Sequence, residues 1–252
     1  MDFIVGMCCY DGGTGSRDIV GTGVLERLRT LRQSIVQAFG YRLDDTKLYC
    51  FVAPEFFFGS EALPKSEFKT LVSALKELYA ARNLILVPGS MVTYSGSKKA
   101  ALSTDYLNRV PVLYGGQFME YDKSSGGGES GAGGVGQFRQ GTTDNDFKLR
   151  FGGRSYRFAV EVCMEHDLGV LAQRKPNKMY DVHIVTANTV SHKATNARAN
   201  HFVLHCNASN SAPQNRWNSG NGSMMVFDQN DTPIRPTRAI GDAVSVWELQ
   251  LP

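Results

Sequence analysis

Residues 156–166 read YRFAVEVCMEH, an apolar run rich in strand-forming residues that ends in a polar turn. Val, Phe and Ala favour a buried strand, and Cys163 stands where that strand ends. A strand-to-helix turn exposes a side chain and surrounds it with backbone N–H groups, which favour a thiolate and a developing oxyanion. Cys163 is therefore a candidate nucleophile, although a buried, inert thiol is the commoner state of a lone cysteine.

Two other segments place a reactive side chain at the end of an apolar run. Glu55 follows the run that begins at Leu48 and precedes three phenylalanines. A carboxylate in such surroundings is either a residue emerging into water or a general base with a raised pKa. Lys123 follows Tyr121-Asp122, and a surface lysine is the ordinary interpretation, because spacing alone does not distinguish Lys123 from the chain's other lysines.

The order of hydrophobic patterns predicts an α/β layered fold with a mixed sheet. Helical spacing predicts helices over Val24–Phe39, after Pro64, and over 192–200. Apolar runs predict strands over Phe3–Tyr10, Leu48–Phe58, Leu84–Val92, Val110–Tyr114, Phe147–Phe151, Tyr156–Val162, Asp181–Ala187, His201–Asn207, Met224–Asp228 and Ala243–Leu251. At 252 residues, one domain is expected.

Composition narrows the classes of partner and compartment. The net charge is +3, and the basic residues are dispersed, so no nucleic-acid or membrane partner is expected. The chain has 5 cysteines without paired spacing, which favours a reducing, cytoplasmic compartment. The N-terminal residues lack the pattern of a secretory signal, and no apolar run reaches the length of a spanning helix.

Residues 124–146 are dominated by Gly, Ser, Thr and Asp. Such composition is typical of a linker between domains. The alternative is an active-site loop, because a long structureless stretch inside a compact domain is usually functional. We expect the second, a mobile flap whose two ends lie near Lys123 and Cys163.

These segments, in this order, resemble the nitrilase superfamily of carbon–nitrogen hydrolases, whose site is a Glu-Lys-Cys triad. Pro54-Glu55 is similar to its glutamate strand, and Tyr121-Asp122-Lys123 to the stretch that delivers its lysine. Val162-Cys163-Met164-Glu165 is similar to its nucleophile segment. The similarity continues along the chain through Asn108, Gly115-Gly116, Cys206-Asn207 and Gly222-Ser223.

The resemblance implies an α-β-β-α sandwich over residues 1–252, a homodimer or higher homo-oligomer, and no metal or cofactor. It implies Glu55 as the base, Lys123 as the oxyanion donor and Cys163 as the nucleophile. The family's Lys-x-His-Leu continuation is missing here. For the family's second glutamate, Glu129 is the nearby candidate, with Asp144 and Asp146 behind it.

Met164, Glu165 and His166 are further candidates for positioning a substrate. The implied function is a thiol hydrolase that cleaves a non-peptide carbon–nitrogen bond of a small amide or nitrile through a Cys163 thioester. The chain shows no long C-terminal extension of the kind implied for spiral-forming nitrilases, which favours a small oligomer and an amidase activity.

Three alternatives stay open. A papain-like hydrolase would pair Cys163 with His183 or His201 and orient the base with Asn207. A metal site would combine Cys163 and His166 with His183 or His205, although these offer no compact ligand pair beyond C-x-x-H. A binding protein on the same sandwich would have lost turnover.

Overall fold

The computed structural model describes residues 1–10, 23–59, 62–63, 65–94, 106–125, 138–208, 223–241 and 243–252. Its helices are α1 (Val24–Phe39), α2 (Lys65–Leu78), α3 (Met164–Leu168) and α4 (Val170–Arg174). Its strands are β1 (Asp2–Cys8), β2 (Leu48–Val52), β3 (Leu84–Val87), β4 (Met91–Tyr94), β5 (Tyr106–Tyr114), β6 (Gln117–Asp122), β7 (Asp146–Phe151), β8 (Arg154–Val162), β9 (Tyr180–Ala187), β10 (Ala199–Asn207), β11 (Ser223–Phe227), β12 (Pro233–Ile234), β13 (Arg238–Ile240) and β14 (Val244–Gln250).

The described strands form two mixed sheets. The first has the order β13-β14-β1-β2-β3-β5-β4, with β6 paired to β5. The second has the order β12-β11-β10-β9-β8-β7. Strands β1, β2 and β3 run parallel, as do β8, β9 and β10, and the remaining pairs are antiparallel. Parallel strands present their carboxyl ends at one edge of a sheet, which is where candidate site residues are expected to gather.

The layers are helix, sheet, sheet and a thin layer of short helices. Side chains alternate along β1, so Phe3, Val5 and Met7 pack between the two sheets, whereas Ile4 and Cys8 pack towards α1 and α2. Beyond the second sheet, α3 and α4 take the outer position, and a small cluster of Ala159, Leu171 and Tyr180 packs there. The predicted α-β-β-α sandwich is confirmed.

Most predicted elements are observed, with three corrections. The strand expected over Leu48–Phe58 ends at Val52, and residues 55–58 form a turn. The strand expected over Leu84–Val92 is divided into β3 and β4 by Pro88-Gly89. The helix expected over 192–200 is wrong, because only Ala194–Asn196 form a turn of 3-10 helix before β10 begins at Ala199. The Asn196 amide donates to the His166 and Asp167 carbonyls of α3 at 2.7 and 3.1 Å, a tertiary contact that overrides helical propensity.

The described part of the chain contains no helix that is both long and apolar enough to cross a membrane. Most of the Gly-rich segment, residues 126–137, lies outside the described residues, and so does Glu129. The two ends of the segment are described. Ser124 is buried beside Lys123, and Gly141 donates its N–H to the Lys123 carbonyl at 2.8 Å.

Candidate active site

The carboxyl edges of the two sheets meet at the ends of β2 and β9. The Thr186 hydroxyl donates to the Ala53 carbonyl at 2.9 Å, and the Glu55 N–H donates to the Ala187 carbonyl at 3.3 Å. These contacts join the backbone of one sheet to the other. They fix the distance between the chain that carries Glu55 and the sheet that carries Cys163.

Glu55 lies in a tight turn that directly follows β2. Gly89 packs against this turn at a φ of 81°, and a Cβ added there would stand 2.1 Å from the Pro54 carbonyl oxygen. Phe56 has a φ of 60°, in the left-handed region that non-glycine residues seldom occupy. The turn is therefore closely packed and strained, and it holds the Glu55 carboxylate in the interior at 1% exposure.

Lys123 reaches the same place from the end of β6. Its Nζ lies 3.0 Å from Glu55 Oε1, and the side chain has no solvent exposure. Asn108, on the neighbouring strand β5, donates its Nδ2 to the same Glu55 oxygen at 2.9 Å. The Lys123 N–H also donates to the Asn108 carbonyl at 2.8 Å, so backbone pairing and side-chain contact position the pair together.

Cys163 completes this group from the second sheet. It follows β8 with φ 49° and ψ −107°, a strained backbone of the kind found at functional sites. Burial and the neighbouring Glu55 carboxylate raise the pKa of its thiol to about 12, while Lys123 and the Asn188 backbone N–H act in the opposite direction. The resting group is a thiol that donates to Glu55, so that carboxylate is placed to receive its proton.

Glu165 connects the nucleophile segment to the lysine segment. Its Oε1 accepts hydrogen bonds from the Tyr121 hydroxyl at 2.5 Å and from the Ser124 N–H and hydroxyl, both at 2.6 Å. Its Oε2 accepts the Val162 N–H at 2.9 Å. Burial raises the pKa of Glu165, and these donors oppose that shift. Both carboxylate oxygens thus accept hydrogen bonds from the protein itself and do not face a substrate.

The other positioning candidates are distributed differently. Met164 is half-buried and packs against the core between the sheets. His166 is fully buried, and its ring nitrogens lie beside Glu161 and His192 rather than Cys163.

The two acids that stood behind Glu129 are placed at the end of the Gly-rich segment. Asp146 pairs with Lys175 at 2.9 Å, and the side chain of Asp144 is 87% exposed.

The Cys-His alternative has no geometric support among the described residues. The charged groups that act on the Cys163 thiol are Glu55 and Lys123. His183 is directed at Glu161, with Nε2 3.0 Å from its carboxylate, and His201 lies 3.6 Å from Asp181. The same contacts leave Cys163 outside any histidine-based metal set.

Two residues have roles that the sequence patterns do not predict. Asn108 supports the ion pair, and the Asn188 backbone favours the Cys163 thiolate. One signal was present for Asn188: it directly follows β9, at the strand edge where Glu55 and Cys163 also stand. Nothing in the local sequence marked Asn108 apart from its place in the resemblance.

Comparison with solved structures identifies the architecture. Nit3 from Saccharomyces cerevisiae, a member of branch 10 of the nitrilase superfamily, aligns with a TM-score of 0.59 at 15% identity, over 98% of this chain and 90% of that one. The chain has the nitrilase fold. No protein-family model matches the sequence, and no curated protein matches it significantly.

Two further neighbours with the nitrilase fold are named for their activity. A mutant amidase from Nesterenkonia sp. AN1 in complex with butyramide has a TM-score of 0.61 at 13% identity, over 98% of this chain and 90% of that one. A carbon-nitrogen hydrolase from Helicobacter pylori G27 has a TM-score of 0.58 at 13% identity, over 100% and 90%. Another mutant of the amidase carries the acetamide moiety of fluoroacetamide, added covalently at its active-site cysteine.

Proposed function

We propose that this chain is a nitrilase-superfamily hydrolase that cleaves the amide bond of a small molecule, with Cys163 as the nucleophile. The observation that carries the proposal is the position of Glu55. Its buried carboxylate lies 3.0 Å from the Lys123 ammonium and close enough to the Cys163 thiol to raise the pKa of that thiol. A base, a cation and a nucleophile grouped in this way support a proposal of covalent catalysis.

The first half-reaction follows from these roles. Glu55 takes the thiol proton as the Cys163 sulfur attacks the amide carbon, and a C–S bond forms. Lys123 and the backbone N–H near Met164 stabilise the negative charge that develops on the oxygen. Glu55 then gives the proton to the leaving nitrogen, the C–N bond breaks, and ammonia or an amine departs.

The second half-reaction uses the same groups. Glu55 removes a proton from water, which attacks the thioester carbon, and the C–S bond breaks with return of that proton to Cys163. The raised pKa of Cys163 suits this cycle, because the thiol stays protonated until Glu55 acts. The covalent adduct at the active-site cysteine of the Nesterenkonia amidase supports the same chemistry here.

A covalent adduct is the direct test. The protein is incubated with a panel of small amides and nitriles, and intact mass spectrometry is followed by peptide mapping. We expect an acyl adduct on Cys163 that Glu55→Gln slows by about 10²- to 10⁴-fold. Cys163→Ala should abolish the adduct, whereas Cys50→Ala, which removes another buried thiol, should retain it.

Preferential labelling of another cysteine, or turnover that survives in Cys163→Ala, would refute the proposal. The panel also separates amides from nitriles, and we expect the amides to react faster. A homodimer or higher homo-oligomer and a cytoplasmic location carry over as predictions, and light scattering after size exclusion tests the first.

A further inference from the structure

One polar side chain beside the nucleophile is not used by the proposed mechanism. Asn188 directly follows β9, and its backbone N–H forms a hydrogen bond with the Cys163 sulfur. The residue is 4% exposed, and its side-chain oxygen Oδ1 has no hydrogen-bond partner among the described residues. Buried polar atoms are nearly always paired in a folded protein, because an unpaired one costs free energy. An unpaired amide oxygen next to a reactive sulfur is therefore expected to find its partner in a ligand.

The backbone that leads to Asn188 is held by both halves of the site. The Thr186 carbonyl accepts the Cys163 N–H at 2.9 Å, and the Ala187 carbonyl accepts the Glu55 N–H at 3.3 Å. The Ala187 carbonyl also accepts the N–H of Ala208, which follows β10, at 3.2 Å. The chain thus leaves β9 where the segments of the base and the nucleophile both contact it.

The alternation of side chains along β9 indicates which way Asn188 faces. Thr186, two residues earlier, donates its hydroxyl to the carbonyl of Ala53, which follows β2 in the first sheet, at 2.9 Å. His183 lies on the opposite face, where its Nε2 is 3.0 Å from the Glu161 carboxylate. Successive side chains of a strand point to opposite faces of the sheet. The position two residues after Thr186 therefore faces the first sheet, which carries the base and the lysine.

The groups around the thiol offer donors to a substrate and few acceptors. The Lys123 ammonium and the backbone N–H groups donate. Glu55 Oε1 already accepts from Lys123 at 3.0 Å and from Asn108 at 2.9 Å. Both oxygens of Glu165 accept from the protein. Asn188 Oδ1 is a buried acceptor beside Cys163 that has no donor among the described residues.

We infer that Asn188 Oδ1 accepts an N–H of the substrate amide and so selects amides that have at least one N–H. The inference rests on the proposed hydrolysis and names its substrate class, the primary and secondary amides. When the Cys163 sulfur attacks the amide carbon, the amide oxygen faces the donors and the nitrogen on the same carbon faces Asn188. An N–H held there keeps the leaving nitrogen beside Glu55, which gives it the proton as the C–N bond breaks.

The same contact disfavours compounds that have no N–H at this place. An ester presents its alkoxy oxygen, a tertiary amide presents an alkyl group, and a nitrile presents a nitrogen that only accepts hydrogen bonds. Each leaves the buried Oδ1 unpaired, and the ester and the nitrile also set a lone pair against a lone pair. A site built to hydrogen-bond a substrate group rejects the analogue that lacks it more strongly than an apolar pocket does.

Matched substrates test this discrimination through kcat/KM. The probes are butyramide, N,N-dimethylbutyramide and methyl butyrate, which share one acyl group and lead to the same Cys163 thioester. Asn188→Leu removes the acceptor and leaves little room for a water molecule in its place. We expect this variant to lower kcat/KM for butyramide by about 10- to 100-fold and to leave that for methyl butyrate unchanged or higher. The wild type should not turn over N,N-dimethylbutyramide.

Two further substitutions at the same position grade the effect. Asn188→Ala leaves room for water, so its loss for butyramide should have the same sign and be smaller. Asn188→Asp keeps an acceptor oxygen, so it should retain the wild-type ratio of amide to ester turnover, although its added charge slows both substrates.

Asn83→Ala is the matched control. Asn83 is another buried asparagine, 5% exposed, and it precedes β3, at the edge of the first sheet opposite to Glu55. Its amide donates to the carbonyls of Asp44 and Lys47 at 3.0 and 3.1 Å. The variant should lose stability and keep the amide-to-ester ratio, which separates a substrate contact from a general loosening of the structure.

A binding measurement makes the inference independent of turnover. Butyramide that is isotope-labelled at nitrogen is titrated into Cys163→Ala, which cannot form the thioester, and its N–H resonances are followed by NMR. We expect saturable binding in which one N–H resonance shifts downfield. In Cys163→Ala/Asn188→Leu, with folding checked by circular dichroism, binding should be about 10-fold weaker and the shift should be absent.

The outcomes separate this inference from the proposed hydrolysis. An amide-to-ester ratio that is unchanged in Asn188→Leu would overturn the inference, as would butyramide binding that is absent from Cys163→Ala or insensitive to Asn188→Leu. Binding that depends on Asn188, without a Cys163 adduct in the wild type, would refute the hydrolysis and leave the contact standing. A Cys163 adduct with a ratio that does not depend on Asn188 would do the reverse.

Discussion

Two carboxylate–cation pairs of nearly equal length lie at opposite extremes of exposure. Lys123 Nζ and Glu55 Oε1 are 3.0 Å apart, with side chains 0% and 1% exposed. Arg29 Nη1 and Glu26 Oε2, on the outer surface of α1, are 2.8 Å apart, with side chains 73% and 51% exposed. The two distances are nearly equal, whereas the surroundings of the two pairs differ.

The difference lies in desolvation. A surface pair forms in water and adds little, since solvent screens it. A buried pair loses the hydration of both ions, and only close contact and extra hydrogen bonds compensate. For Glu55 the extra donor is the Asn108 amide. A chain that keeps such a pair, where apolar side chains would fill the space at lower cost, is expected to use it in chemistry. We therefore expect the largest effects from substitutions in the buried pair and the smallest from those in the surface pair.

The largest effect is expected from Lys123→Met. The variant leaves the buried Glu55 carboxylate without its cation and should cost about 3–5 kcal/mol of unfolding free energy, measured in urea. Turnover should be lost as well. The double variant Lys123→Met/Glu55→Gln should recover most of the stability and remain inactive. A loss below about 1 kcal/mol in the single variant would mean that the pair is not ionised.

Glu165→Gln should have the next largest effect. One oxygen of its carboxylate accepts a hydrogen bond from Val162, and the other accepts from Tyr121 and Ser124. In either orientation of a glutamine, the amide NH2 group would therefore face one of these N–H or O–H donors. We expect a loss of about 1–3 kcal/mol in unfolding free energy. We also expect a fall in kcat with little change in KM, because Glu165 holds the segment that carries Cys163.

Glu120→Gln is the matched control for Glu165→Gln. Glu120 lies on β6, and its side chain is 35% exposed. Its carboxylate Oε2 lies 3.4 Å from Nη1 of Arg109. Stability and kinetics should stay close to wild type. Equal losses in the two variants would show that burial is not what gives Glu165 its effect.

The variant Asp146→Asn tests a partly buried carboxylate through the pH dependence of thermal stability. Asp146 accepts from Lys175, Lys178 and the Tyr180 hydroxyl, and these donors lower its pKa to about 2 against the desolvation that raises it. The folded pKa lies below the unfolded value of about 3.9, so the contribution is complete above that value and is lost as pH falls towards 2.

The Tm of the wild type should therefore exceed that of Asp146→Asn at neutral pH, and the two should converge between about pH 4 and pH 2. Asp144→Asn is the control, because Asp144 is exposed and lies 3.4 Å from Lys175. Its Tm should follow the wild type at every pH. A constant difference for Asp146→Asn down to pH 2 would exclude an ionised Asp146 as its origin.

Strand and helix patterns predicted the layers well because they report local burial. The helical spacing of α1 and the apolar runs of β1 and β8 are properties of neighbouring residues, and the structure confirms those elements. Cys163 was marked by the end of its strand for the same reason. Lys123 was not, since its burial depends on β5, β6 and a carboxylate 68 residues away. Only the family resemblance selected it.

The proximity of the buried residues His166, His192 and His205 could not be predicted from the sequence either. His166 and His192 are 26 residues apart, and His205 comes from another strand. No local sequence pattern brings the three rings together. They meet because β9 pairs with β10 in parallel and because only a short 3-10 turn follows His192. The local sequence predicts a helix over 192–200 because it carries no information on the contact between Asn196 and α3.

The smallest effect is expected from Arg29→Ala, which removes the exposed ion pair on α1. Arg29 and Glu26 sit one turn apart on α1, where water screens the charges and both long side chains lose freedom to hold one geometry. We expect a change of no more than about 0.5 kcal/mol in unfolding free energy, and a smaller one at high salt. Helix propensity works in the same direction, since alanine is the best helix former and offsets part of the lost contact. A loss above about 1 kcal/mol in unfolding free energy would contradict the ordering by exposure, because an ion pair screened by water should not contribute as much as a buried one.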